Sequence, residues 1–236
     1  MKPESDESDP EWVGEALAFL MAMTLIAMVF PSPHARALAS AAVFVLLIRL
    51  KGANPNLGGV RESVVAAALA AAVTIPILIP SRIEPTGLDP AILLPLLPYH
   101  LSVATWEEIV YRGYPLLRRS DFLLLTSSLM FSLIHAFNPG FGLQAFLGIF
   151  VAGLALGMIR ISWGLVPAIC MHPTWNVLME HVWGFPTSGL LGHSLFRSAL
   201  AGPDLMTGGY FGPEASPIVM IEFALIFAYL RFDGRR

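Results

Sequence analysis

Apolar residues in this chain come in long charge-free runs. Ala16–Pro33, Ser63–Ser81 and Pro90–Trp106 contain no Asp, Glu, Lys or Arg. Phe122–Ile159 is charge-free over 38 residues and Ile161–Met179 over 19. A hydrocarbon layer about 30 Å thick needs a helix of roughly 20 mostly apolar residues. Within the longest run, Asn138-Pro139-Gly140 is a breaker cluster and predicts two helices joined by a tight turn. Ala37–Ile48 is shorter, but Arg36 and Arg49 extend it because long basic side chains snorkel. Ala215–Leu230 is interrupted only by Glu222. The pattern predicts an all-α polytopic membrane protein, with about eight transmembrane helices bundled around a polar cavity.

Composition points the same way. Of 236 residues, 56% are hydrophobic and 13% charged, against roughly 25% charged in a soluble domain. Such a supply cannot cover a water-facing surface. The net charge of −3 provides no basic field, so no nucleic-acid partner is expected. The single Cys170 excludes an internal disulfide and a multi-cysteine zinc cluster.

Charge placement orients the bundle. With eight spans, one side holds Lys2, Arg49, Lys51, Arg61, Arg118, Arg119, Arg160, Arg231, Arg235 and Arg236. The other holds Arg36, Arg82 and Arg197. That bias predicts a multi-pass protein of the cell inner membrane with both termini cytoplasmic. Residues 1–11 are acidic, unlike a signal-peptide n-region, and read as a short disordered tail. Residues 12–232 read as a single transmembrane domain. Residues 184–213 are rich in Gly and Pro and read as an outer loop. Phe232–Arg236 is not a prenylation box.

Ionisable groups inside membrane helices are costly and mark function. Three clusters stand out: Glu107–Arg112, Phe131–His135 and His172–Asn176. Glu108 and Arg112 are four apart and can pair along one helix face. Glu107 points about 100° away and stays free for other work. His172 and Asn176, also four apart, project together. At 1.5 Å per residue, Glu107, His135 and His172 lie roughly 16, 21 and 14 Å from the basic face. Three helices thus bring polar groups to a similar level near the midplane, which suits a hydrolytic centre. A carboxylate and an imidazole can hold and deprotonate a water molecule. A second His and an Asn can donate to the oxyanion that forms.

At these residues the sequence resembles the CPBP family of intramembrane glutamic proteases, which includes CAAX prenyl endopeptidases of the Rce type. The family's three motifs read here as EEIVYR (Glu107–Arg112), FSLIH (Phe131–His135) and HPTWN (His172–Asn176), in order and on separate apolar segments. The resemblance covers about Leu101–Leu178 and extends more weakly to Gly208–Glu214. It implies that Glu107 and His135 activate the water. His172 and Asn176 would form the oxyanion site, and Glu108 with Arg112 would orient the first motif. No cofactor and no metal is implied. The implied substrate is a peptide or protein with a lipidated or membrane-embedded terminus in the bilayer.

Other readings compete. Zinc held by Glu107, His135 and His172 would make a metalloprotease, but the His-Glu-x-x-His pattern of zincins is absent. A binding, immunity or scaffold protein would use the same cavity without chemistry. Elsewhere, His100 lies seven residues before Glu107 on roughly the same face. Glu222 needs a partner inside the membrane. Cys170 and His172 are two apart, which disfavours a Cys–His nucleophile pair. Phe131, Trp106, Tyr111 and Trp175 read as packing residues. The expected protein is a metal-independent intramembrane endopeptidase whose cavity opens to the cytoplasm or the bilayer.

Overall fold

The computed structural model describes residues 9–233. Residues 1–8 of the expected acidic tail lie outside that range. Its last residues are already helical, because Asp9 caps α1 (Pro10–Val29) by accepting from the Glu11 and Trp12 amides, with Pro10 in the first turn. Ser32 and Pro33 start α2 (Pro33–Leu50) in the same manner. Next come α3 (Val60–Ala72), α4 (Ile75–Leu78) and strand β1 (Ser81–Pro85). Helix α5 (Leu96–Glu108) runs directly into a π-helical segment, Ile109–Gly113. Ser120 caps α6 (Asp121–Leu133), which continues as a 3₁₀ turn over Ile134–Phe137.

The breaker cluster turns the chain where expected, with Gly140 at φ +74°, and α7 (Leu143–Ser162) follows. Helix α8 (Leu165–Asn176) passes into a second π-helical segment, Val177–Trp183, which Gly184 ends in the left-handed conformation. The expected outer loop is more ordered than its composition suggested. It contains β2 (Phe196–Leu200), antiparallel to β1, and the short α9 (Asp204–Thr207). Helix α10 (Pro217–Asp233) ends the described chain.

Polarity is inside out. Leu25, Leu46, Val64, Leu125 and Leu225 face outward, while Glu107, Glu108, Arg112, His135 and His172 are buried. An apolar belt of this extent is a membrane surface. Among the described residues, four helices are long and apolar enough to cross a bilayer: Pro10–Ala27, Pro33–Leu50, Val60–Leu78 and Leu143–Ser162. Length and composition therefore support four of the eight expected spans. The others are short or interrupted: α5 and α8 continue only through their π segments and carry the polar clusters.

Ion pairs gather at one end of the bundle. Asp9 meets Arg118 at 2.7 Å, Glu15 meets Lys51, and Asp121 meets Arg231. The β1–β2 ribbon lies at the other end of α3 and α8. Between the two ends, the apolar core runs through every long helix.

Candidate active site

Helix α5, helix α6 with its 3₁₀ turn, and helix α8 carry the candidate residues. All three leave regular α geometry at or beside them, His135 lying within the 3₁₀ turn itself. The π segment begins immediately after Glu108, and the other immediately after Asn176. Pro173 sits inside α8, where it lacks the N–H that would bond the Ile169 carbonyl. Single π turns widen a helix locally and recur at functional sites.

A cavity of about 390 Å³ is lined by Glu107, His135, His172 and Asn176 together with Trp106, Tyr111 and Arg36. The volume falls in the range of ligand-binding pockets. Three sequence clusters spread over residues 107–176 thus meet at one space.

Glu108 and Arg112 form the i,i+4 pair at 2.9 Å, both fully buried. The same Glu108 Oε1 lies 2.8 Å from Nδ1 of His172. Its carboxylate accepts from both, so Nδ1 of His172 carries a proton and Nε2 faces the cavity. That Nε2 lies 3.5 Å from Oε2 of Glu107. The imidazole beside Glu107 is therefore that of His172, a contact the sequence reading did not anticipate. His135 donates from Nδ1 to the Phe131 carbonyl at 2.8 Å, since a carbonyl only accepts. In the neutral ring this leaves Nε2 as the basic nitrogen. Asn176 lines the cavity with no hydrogen-bond partner among the described residues.

Phe131 does more than fill space. The Arg112 guanidinium lies 3.9 Å from its ring centroid, and the rings of His135, His172 and Tyr111 pack at 5.0, 5.9 and 5.6 Å. One aromatic ring thereby touches residues from all three motifs. Nε and Nη2 of Arg112 and Oε2 of Glu108 have no hydrogen-bond partner, so the stacked ring stabilises a cation whose donors are only partly used.

Glu214, in the stretch of weaker resemblance, supports α8 from behind. It accepts from Nε1 of Trp175 at 2.9 Å and from the Ser188 hydroxyl at 2.8 Å and amide at 2.5 Å. Glu222 has neither carboxylate oxygen partnered, so the partner expected for it is absent among the described residues. Cys170 is free and half-buried.

The cavity opens away from the basic end. Its lining continues from Glu107 through Tyr99 and His100 to Pro31, Pro33, Phe137 and Leu190. Toward the basic end the bundle is plugged: Tyr114 packs on Trp12 at 5.1 Å and Phe19 at 4.6 Å, and Arg118 covers Trp12. Of the two expected openings, to the side of the basic loops or to the bilayer, the lining residues do not reach the first.

Sequence reasoning missed Glu180, which joins His100 at the upper wall of the cavity, and His181, whose Nε2 meets that of His100. His100 gave a signal by sharing the face of Glu107, but nothing in spacing linked it to residues 80 positions later.

No curated protein and no solved structure matches the chain. The sequence model of the family described as type II CAAX prenyl endopeptidase Rce1-like matches residues 89–178. That stretch contains α5, α6, α7 and α8 up to the second π segment, and with them all three motifs. Over these residues, less than half of the chain, the sequence is similar to the Rce1-like CAAX endopeptidase family.

Proposed function

We propose that the protein is a metal-independent glutamic-type endopeptidase of eight membrane spans. It cleaves a peptide bond near a lipidated or membrane-embedded terminus. The observation that carries this reading is the convergence of Glu107, His135, His172 and Asn176 on one buried cavity within the family-matched stretch. Eight alternating passes are supported by the ion pairs at one end and the β ribbon at the other. The excess of Lys and Arg at the ion-paired end favours an inner-membrane protein with both termini cytoplasmic.

Glu107 takes a proton from a water molecule in the cavity, and the basic Nε2 of His135 orients that water. The resulting hydroxide attacks the scissile carbonyl. The amide of Asn176 and a protonated Nε2 of His172 donate to the oxyanion. Glu108 holds His172 by its other nitrogen, and Arg112 holds Glu108. The proton on Glu107 then passes to the leaving amine as the tetrahedral intermediate collapses.

The test is cleavage of a prenylated peptide by the purified protein in detergent. Wild type should turn over, and Glu107→Gln and His135→Ala should each lose at least 100-fold. Losing one oxyanion donor, as in Asn176→Ala, should cost about 100- to 1,000-fold. Equal turnover by wild type and Glu107→Gln contradicts the mechanism.

A further inference from the structure

We propose that His100, Glu180 and His181 form a zinc site in the upper wall of the cavity. The donor atoms of the three residues all lie within 4.8 Å of one another. The two Nε2 atoms are 2.7 Å apart, and each is 3.8 Å from Oε2 of Glu180. Two imidazoles and one carboxylate are a common protein donor set for zinc. With zinc–nitrogen bonds of about 2.0–2.1 Å, tetrahedral geometry places two nitrogens about 3.3 Å apart. The site therefore needs the imidazoles to part by roughly half an ångström and the carboxylate to close by a similar amount, well within side-chain freedom.

The surroundings fit a ligand set rather than a packed core. Nδ1 of His181 donates to the His193 carbonyl at 2.8 Å. This fixes the tautomer and leaves the Nε2 lone pair for a metal, the usual outer-shell arrangement for a zinc histidine. Without a metal, His100 must supply the one proton between the two Nε2 atoms. Binding moves that proton to Nδ1 of His100, which has no partner of its own.

Gly192 covers the trio: a Cβ there would come within 2.6 Å of His181 Cε1 and 2.8 Å of Glu180 Oε1. His100 and Glu180 line the cavity, which gives the ion a path in and leaves a fourth position for water. The trio shares no residue with the Glu107 group, so the inference does not rest on the hydrolytic reading.

The test is zinc binding by the purified full-length protein, stripped with chelator and re-exposed to zinc alone. Wild type should retain one zinc per chain by elemental analysis, and Glu107→Gln should retain the same. His100→Ala and His181→Ala should weaken binding by about 100-fold or more, since loss of an outer-shell partner alone costs about 10- to 100-fold. Failure of wild type to retain zinc overturns the site. So does unchanged binding by His181→Ala, or loss on Glu107→Gln alone, which would place the ion at the Glu107–His172 pair. If the alanine variants fail to fold, Glu180→Gln and the visible spectrum of cobalt-loaded wild type decide. A four-coordinate cobalt spectrum that Glu180→Gln weakens supports the site, and its absence from wild type overturns it.

Discussion

Nδ1 of His172 sits 2.8 Å from Oε1 of Glu108, the oxygen that also receives Arg112. A motif residue of α5 thereby fixes the ring of a motif residue in α8, and a buried cation neutralises the carboxylate between them. Breaking such an assembly strands a charge. Glu108→Ala should lower stability by about 3–5 kcal/mol, because Arg112 is left buried without its anion. Glu108→Gln keeps an acceptor oxygen and should melt closer to wild type while losing turnover. Thermal unfolding in detergent, run beside peptide cleavage, separates the two effects.

Phe131 carries a second expectation. Its ring supports Arg112, His135 and His172 together, and a desolvated cation–π contact contributes about 2 kcal/mol. Phe131→Leu should therefore cost about that much in stability and more than tenfold in turnover. Phe131→Tyr keeps the ring face and should retain most of both. Melting temperature and kcat/KM for the two variants check this.

Gly148 lies against Glu214 so closely that an added Cβ would fall 2.0 Å from the Glu214 carbonyl oxygen. Backbone cannot yield as a flexible side chain can. Gly148→Ala should destabilise by about 1–3 kcal/mol, as overpacked cores do. Because Glu214 holds Trp175, the neighbour of Asn176 in α8, turnover should fall as well. A melting curve unchanged from wild type would contradict this packing.

Asp9 and Arg118 give a pH signature outside the membrane. The Arg118 guanidinium hydrogen-bonds the Asp9 carboxyl and holds it below the usual carboxylate range. A carboxyl depressed in the folded state contributes stability above its unfolded value and loses it as pH falls through the folded value. Asp9→Asn should melt slightly below wild type at neutral pH, and the gap should close as pH falls through the carboxylate range. Melting curves across the carboxylate range test the sign.

The direction of the cavity is open to labelling. Leu190 lies at its mouth and Arg119 at the basic end. In a Cys170→Ser background, Leu190→Cys should react with a membrane-impermeant maleimide added to spheroplasts. Arg119→Cys should react only after permeabilisation. The reverse pattern would invert the orientation.

Much of this was legible because it is local. The Glu108–Arg112 pair follows from helical spacing, and the turn at Asn138–Gly140 follows from residues that cannot continue a helix. Similar depth along three spans brought Glu107, His135 and His172 together in the sequence reading. What was not legible depends on distance along the chain. β1 pairs with β2 more than a hundred residues later, and a composition rich in Gly and Pro hides that strand. The same is true of His100 with His181, and of Glu214 with Trp175 and Ser188. The π segments were hidden too, since they express how the bundle packs around buried polar groups rather than any local preference. His172 reached Glu107 because Glu108 turns its ring, a relation between three side chains that no single spacing contains.

The most direct measurement of the central claim is a comparison of protein termini in cells carrying wild type or Glu107→Gln at equal levels. A terminus generated only by wild type, lying beside a membrane-embedded or lipidated segment, is the expected result and identifies the substrate. Identical termini in both strains would contradict catalysis by Glu107 and leave the cavity as a binding site.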